Sequence, residues 1–276
     1  MSVFVIAEAA VTYRFGDDHL ANAKRLIEAC KAAGADAWKT QWTSSAARIA
    51  ERRHAPEYLA AYERLQFPRE WLTTLKGMCD EAGLKFGCTV YLQEDVAAIR
   101  DLVDFFKIAS FEATDRPFID AHPHDRVTII SHGMDDCSVP QPREGPYRHL
   151  HCVSAYPCPT EQLNLRRIVN DLDSESGYDG LSDHTTSTLT GAVAVGAGAE
   201  IIEKHVRMND TPTSDPDYST ALNAEDMCYG QIGYYTQRFS EYVANIREAE
   251  RMMGTGEQGA MECEKAMMRL RVGGGK

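Results

Sequence analysis

Short β-rich runs and helical stretches trade places along this chain almost from end to end, and few folds satisfy that rhythm. Runs at 3–10, 37–42, 84–90, 105–110, 127–132, 148–154, 178–183 and 200–206 read as buried strands. The first helical stretch opens at Asp17 or Asp18, places Leu20, Ala23, Ile27 and Cys30 on one face and stops at Gly34. Further helices are expected over 68–83, 93–103, 115–121, 161–172 and 187–197, with a long final one over 223–253. Eight strands alternating with helices is the count of an α/β protein of the (β/α)8 TIM-barrel type. A barrel domain over 1–253 followed by a tail over 254–276 accommodates the whole chain. Two stretches break the rhythm. Three prolines between Gly133 and Tyr147 leave no room for a fifth crossover helix, and the polar excursion over 43–66 is long for a strand-to-helix loop.

Charge narrows the function. Acidic residues number 41 against 29 basic ones, a net charge of −12, which argues against a general nucleic-acid or acidic-membrane surface but leaves room for a local basic pocket. No run approaches the ~20 apolar residues of a membrane-spanning helix, and Glu8 arrives too early for a signal peptide. The eight cysteines form no CxxC pair and no zinc-finger spacing, so reduced, mostly buried thiols in a cytoplasmic protein are expected.

In such a barrel the C-terminal ends of the strands converge on one mouth. Those ends carry Glu8, Lys39 and Gln41, Thr89, then Lys107, Ser110 and Glu112, then Ser131 and His132. They continue with Ser154 and Tyr156, Ser182-Asp183-His184, and Glu203 with His205. Lys39 and Lys107 sit among aromatic residues inside central strands, where a lysine is costly to bury without an anionic partner. Each could snorkel or pair with a carboxylate. Together with Thr89, Ser110, Ser131 and Ser182 they could instead cradle a phosphate and a carboxylate, a reading preferred to Schiff-base chemistry. His184 and His205 end neighbouring strands and could share one divalent ion, with water completing its shell; the alternative is two structural histidines. His149 and His151 alternate around Leu150 below the mouth and read as structural, and Asp215-Pro216-Asp217 alone is a turn signal.

Taken in order, several pieces resemble the sialic acid synthase family, which joins phosphoenolpyruvate to an N-acetylated sugar aldehyde. They are Ile6-Ala7-Glu8, Phe106-Lys107-Ile108-Ala109-Ser110, Ser131-His132-Gly133-Met134, Ser154-Ala155-Tyr156-Pro157, Leu181-Ser182-Asp183-His184-Thr185, Ile202-Glu203-Lys204-His205 and Asp215-Pro216-Asp217. The resemblance implies that His184 and His205 bind manganese, with magnesium or cobalt as alternatives. It implies that Lys39, Thr89, Lys107, Ser110, Ser131 and Ser182 hold phosphoenolpyruvate. The acceptor aldehyde would lie near Glu8, Glu112, Tyr156 and Asp217, and Ser154 stands where the family has an asparagine touching both substrates. The implied reaction is a metal-assisted, aldol-type condensation giving a 2-keto-3-deoxy acid and phosphate, with Glu112 or Glu8 as general base. A cytoplasmic homodimer without nucleic-acid or membrane partners is expected. Two departures bear on the acceptor. Thr12-Tyr13-Arg14-Phe15-Gly16 replaces the family's Asn-His-Asn-Gly, and the chain ends without the antifreeze-like domain that supplies an arginine. Arg14 is expected to replace that arginine, and the 43–66 segment to serve as a lid. The rival readings are a metal-dependent pyruvate aldolase or sugar isomerase, and a non-catalytic ligand-binding barrel.

Overall fold

Every expected strand forms. In the computed structural model, which describes residues 2–134, 145–168, 177–225, 238–256, 259 and 261–272, β1 (Phe4–Ala10), β2 (Ala37–Gln41), β3 (Lys85–Thr89), β4 (Phe105–Ile108), β5 (Thr128–His132), β6 (Tyr147–Cys152), β7 (Gly180–Asp183) and β8 (Ile201–Arg207) pair in chain order, all parallel. Pairing of β1 with β8 closes the barrel. Its wall helices are α1 (His19–Ala32), α4 (Glu70–Ala82), α5 (Gln93–Ile99), α6 (Arg116–Asp120), α7 (Thr190–Gly196) and α8 (Phe239–Met253). The first begins where Asp18 accepts a hydrogen bond from the Ala21 N–H at 2.9 Å, and it buries Ala23, Leu26, Ile27 and Cys30 against the sheet.

Strand alternation sorts side chains into two environments. Outward residues such as Val5, Trp38, Phe86, Phe106, Ile130, Leu181 and Ile202 join the main core beneath the helices. Inward residues Ile6, Ala37, Phe105, Ile129, Leu150 and Ile201 form a separate apolar floor inside the barrel. Gly87 makes that floor possible, because a Cβ there would stand 2.3 Å from the Phe105 ring. Two residues further along the strands the interior turns polar, and this second layer carries the site.

The 43–66 excursion contains α2 (Ala46–Arg52), a 3-10 turn at Pro56–Tyr58 and α3 (Leu59–Glu63), and its residues line a cavity at the mouth. Two sequence expectations change. The expected helix over 161–172 is described only as far as Ile168, and there it appears as two 3-10 turns, Thr160–Gln162 and Leu165–Ile168, separated by Asn164 at φ +50°, a conformation that interrupts an α-helix. The final helix does not start at 223: Leu222–Asn223 forms β9, which pairs with Val206 and Arg207. The proposed gap in the fifth crossover falls on 135–144, outside the described residues. No helix among the described residues is long and apolar enough to cross a membrane.

Candidate active site

At the end of β1 the register shifts between Glu8 and Ala10, and Ala10 adopts φ +46°. That irregularity turns the Ala10 N–H back onto the Glu8 carboxylate. Beside it Lys39, only 2% exposed, ion-pairs with Glu8, lies 3.4 Å from Glu203 and donates to Thr89 Oγ1 at 2.6 Å. Lys107 donates to Ser131 Oγ and to the Ile108 carbonyl, both at 2.7 Å, and lies 3.7 Å from Glu203. Ser182 donates to Glu203 at 2.8 Å. Glu203 thus stands between two ammonium groups. Burial pushes its carboxyl up, but Lys107 and Lys39 outweigh that and bring it down to about 2. Burial brings Lys39 down to about 8 while Glu203 resists.

Above this layer the His184 and His205 rings lie 5.4 Å apart, centroid to centroid, with Tyr156 4.2 Å from His184. His184 Nδ1 donates to the Val153 carbonyl at 2.8 Å, which leaves the lone pair on Nε2. Burial keeps His184 down at about 4 and His205 well below its ordinary value, so both imidazoles are neutral. His205 Nδ1 is buried without a hydrogen-bond partner, 3.4 Å from Asp217. Among the described residues no group of three or more His, Cys, Asp or Glu side chains could hold a metal ion. The chain therefore brings together two neutral nitrogen donors, a set that suits a divalent cation completing its shell from solvent or substrate.

The residues between these inward groups point the other way. Asp183 and Lys204 lie on the outer wall at 3.4 Å, and Asp183 also accepts from Tyr242 at 2.8 Å, tying α8 to the barrel. His132, His149 and His151 face outward too, with His132 Nε2 2.8 Å from His149 Nδ1 and His151 Nε2 2.7 Å from the Leu163 carbonyl.

A small cavity of about 40 Å³ is lined by Glu8, Lys39, Thr89, Lys107, Ser110, Ser131, Ser182, Glu203 and both histidines. Gln41, Ala109, Tyr156 and His205 also line a larger cavity of about 810 Å³, where Glu112, Ser154 and Asp217 are found. Ser154 Oγ is 2.7 Å from Ser110 Oγ, and a side chain at Gly133 would crowd it, a new Cβ lying 2.4 Å away. Burial beside Asp215 pushes Asp217 up to about 7. All thirteen expected residues thus gather at one end of the barrel.

Arg14 does not join them. It donates to the carbonyls of Arg64 and Gln66 and lies over Phe67 and Trp71. The arginines on the larger cavity are Arg52, Arg53 and Arg64, each paired with a carboxylate: Asp115, Glu112 and Asp215 respectively. Sequence reasoning missed these three because they come from the excursion, not from a strand end. It placed Glu203 at the mouth with His205 but gave it no role, although their two-residue spacing puts both on the inner face.

The NeuB family profile matches residues 26–258, most of the chain. The chain belongs to the NeuB family. An N,N'-diacetyllegionaminic acid synthase of Legionella pneumophila is 30% identical over 94% of this chain and 75% of its own length. The human N-acetylneuraminate-9-phosphate synthase is 25% identical over 95% of this chain and 74% of its own. The crystal structure of an N-acetylneuraminic acid synthetase from Leptospira borgpetersenii superposes with a TM-score of 0.80 at 24% identity, covering 98% of this chain and 92% of that one. That likeness establishes the shared barrel. This NeuB-family chain carries its polar layer where the barrel's mouth concentrates it.

Proposed function

We propose that this chain condenses phosphoenolpyruvate with a sugar or other aldehyde, releasing inorganic phosphate and a 2-keto-3-deoxy acid. The observation that carries the reading is the paired, buried Lys39 and Lys107 with hydroxyl groups of Thr89, Ser131 and Ser182 around them, directly beneath two neutral imidazoles. Relatives named as acid-sugar synthases support it.

The residues account for the chemistry as follows. Lys39, Lys107 and the hydroxyls of Thr89, Ser110, Ser131 and Ser182 hold the phosphate and carboxylate, with Lys39 exchanging its contact with Glu8 for the incoming anion. Held there, C3 of phosphoenolpyruvate attacks the aldehyde carbon, the C=O π pair moves onto the aldehyde oxygen, and that oxygen takes up a proton to become the new hydroxyl; orientation supplies much of the rate. Water adds to the positive C2, and the resulting tetrahedral centre breaks its C–O bond to release phosphate. Glu112 takes the proton from that water, since its Oε2 is buried without a hydrogen-bond partner. Glu8 is already engaged by Lys39 and the Ala10 N–H, which suits it to holding the lysine. Ser154, Tyr156 and Asp217 face the acceptor. A divalent cation, manganese or alternatively magnesium or cobalt, would be held by His184 and His205 and would supply Lewis-acid polarisation of the aldehyde carbonyl.

The test is phosphate release from phosphoenolpyruvate with Mn²⁺ across a panel of aldoses and simpler aldehydes. Aldehyde-dependent release is expected, and its absence with every aldehyde would overturn the reading. Calorimetry with Mn²⁺ checks the cation site separately: His184→Ala and His205→Ala should each abolish binding, and unchanged affinity in both would refute the assignment.

A further inference from the structure

We propose that Arg53, contributed by the excursion over the mouth, is a positioning residue that holds Glu112 ionised and aims one of its oxygens into the cavity. This rests on the reading of Glu112 as the base.

The geometry differs from an ordinary structural ion pair. Arg53 follows α2 directly, and its Nε and Nη2 both donate to Glu112 Oε1, at 2.9 and 2.7 Å. An arginine–carboxylate pair is frequently bidentate, its fork matched to both carboxylate oxygens. Here both donors converge on one, and Oε2 is left buried with no partner. An unsatisfied buried acceptor is costly, so its retention beside a cavity suggests a proton or ligand that it meets during turnover. The guanidinium is itself confined: the rings of Phe111, Tyr91 and Tyr62 lie 4.7, 5.0 and 5.4 Å from it. Arg53 therefore has little freedom to release Oε1 or to capture Oε2.

Charge points the same way. Glu112 is 3% exposed, and burial holds its carboxyl above the ordinary carboxylate value; Arg53 is the foremost group restraining that rise, ahead of Arg52 on α2 and Lys107 on β4. Arg52 is committed to Asp115, and the Tyr91 hydroxyl near Glu112 is held protonated by burial. Without Arg53 the remaining cations are Arg52, paired with Asp115, and Lys107, which donates to Ser131 and the Ile108 carbonyl, so burial would push Glu112 higher still.

The experiment uses Arg53→Gln and Arg53→Lys with two readouts. In Arg53→Gln the acid limb of the kcat profile should move up by roughly one pH unit, while KM for phosphoenolpyruvate stays within twofold. Arg53→Lys keeps the charge but loses the fork, so the limb should stay in place while plateau kcat falls several-fold. Isotope-edited infrared titration of the Glu112 carboxylate, assigned by its loss in Glu112→Gln, reads the same midpoint without turnover. A folded Arg53→Gln protein with the native midpoint would overturn the proposal. Should that variant fail to fold, native plateau kcat in Arg53→Lys would overturn it equally. If the unmodified protein releases no phosphate, the assignment of a base fails, whereas the infrared midpoint still decides whether Arg53 holds Glu112 ionised.

Discussion

Glu203 is the residue on which the polar layer turns, because one carboxylate there serves two buried ammonium groups. Removing one lysine leaves the carboxylate its other lysine and Ser182, so the fold should survive the change. Lys39→Met and Lys107→Met should each weaken phosphoenolpyruvate binding by roughly 1.5–3 kcal/mol, the range for charge-assisted hydrogen bonds. Isothermal titration checks this, and native affinity in both variants would reduce the lysines to structural roles. At this scale the sequence was most readable where a polar residue interrupts an apolar strand, as Lys39 does after Trp38 and Lys107 after Phe106. It was least readable for side-chain direction off the strands. Arg14 lies next to β1 in the chain, yet its guanidinium is spent on two carbonyls of the excursion. Glu203 stands at the mouth in the sequence reading but has no role there, because nothing in the chain shows that alternation sends the adjacent Lys204 to Asp183 on the opposite face and leaves Glu203 facing the two inner lysines.

Among the elements, the excursion over 43–66 was the hardest to read. Its two helices have seven and five residues, too short for periodicity to declare itself, and Pro56 lies between them. α8 was read too long because nothing in the composition around Asn223 announces the two-residue strand that extends the edge of β8. By contrast the region after β4 followed its pattern, and it contains a titration that can be checked. His122 Nδ1 donates to the Phe118 carbonyl at 2.9 Å, and its ring stands 5.0 Å from Phe118 and 5.4 Å from Phe106. Burial holds it down at about 4. Below the ordinary histidine value of ~6.5 the unfolded chain takes up a proton that the native protein refuses, so stability falls as pH drops from there towards 4. The loss attributable to His122 has an upper bound of about 3 kcal/mol. Urea titrations of the native protein and His122→Asn should show a shallower pH dependence in the variant; identical slopes would place the titration elsewhere.

For the whole molecule, eight parallel strands were legible because strands buried on both faces read as apolar runs bounded by turns. What the alternation could not convey is that the interior is stratified, with an apolar floor beneath the charged layer. That floor packs the barrel interior with apolar side chains, and the cavities of the site lie on the mouth side of it. Under the proposed reaction, the reactant seated lower enters first, and the one above it covers its path back to the mouth. An unreactive aldehyde analogue should therefore inhibit uncompetitively against phosphoenolpyruvate, whereas a phosphoenolpyruvate analogue should compete with phosphoenolpyruvate itself. Competitive inhibition by the aldehyde analogue against phosphoenolpyruvate would contradict such a queue. An apolar base, formed by residues that touch no substrate, would thus impose a compulsory sequence of arrivals on a reaction carried out well above it.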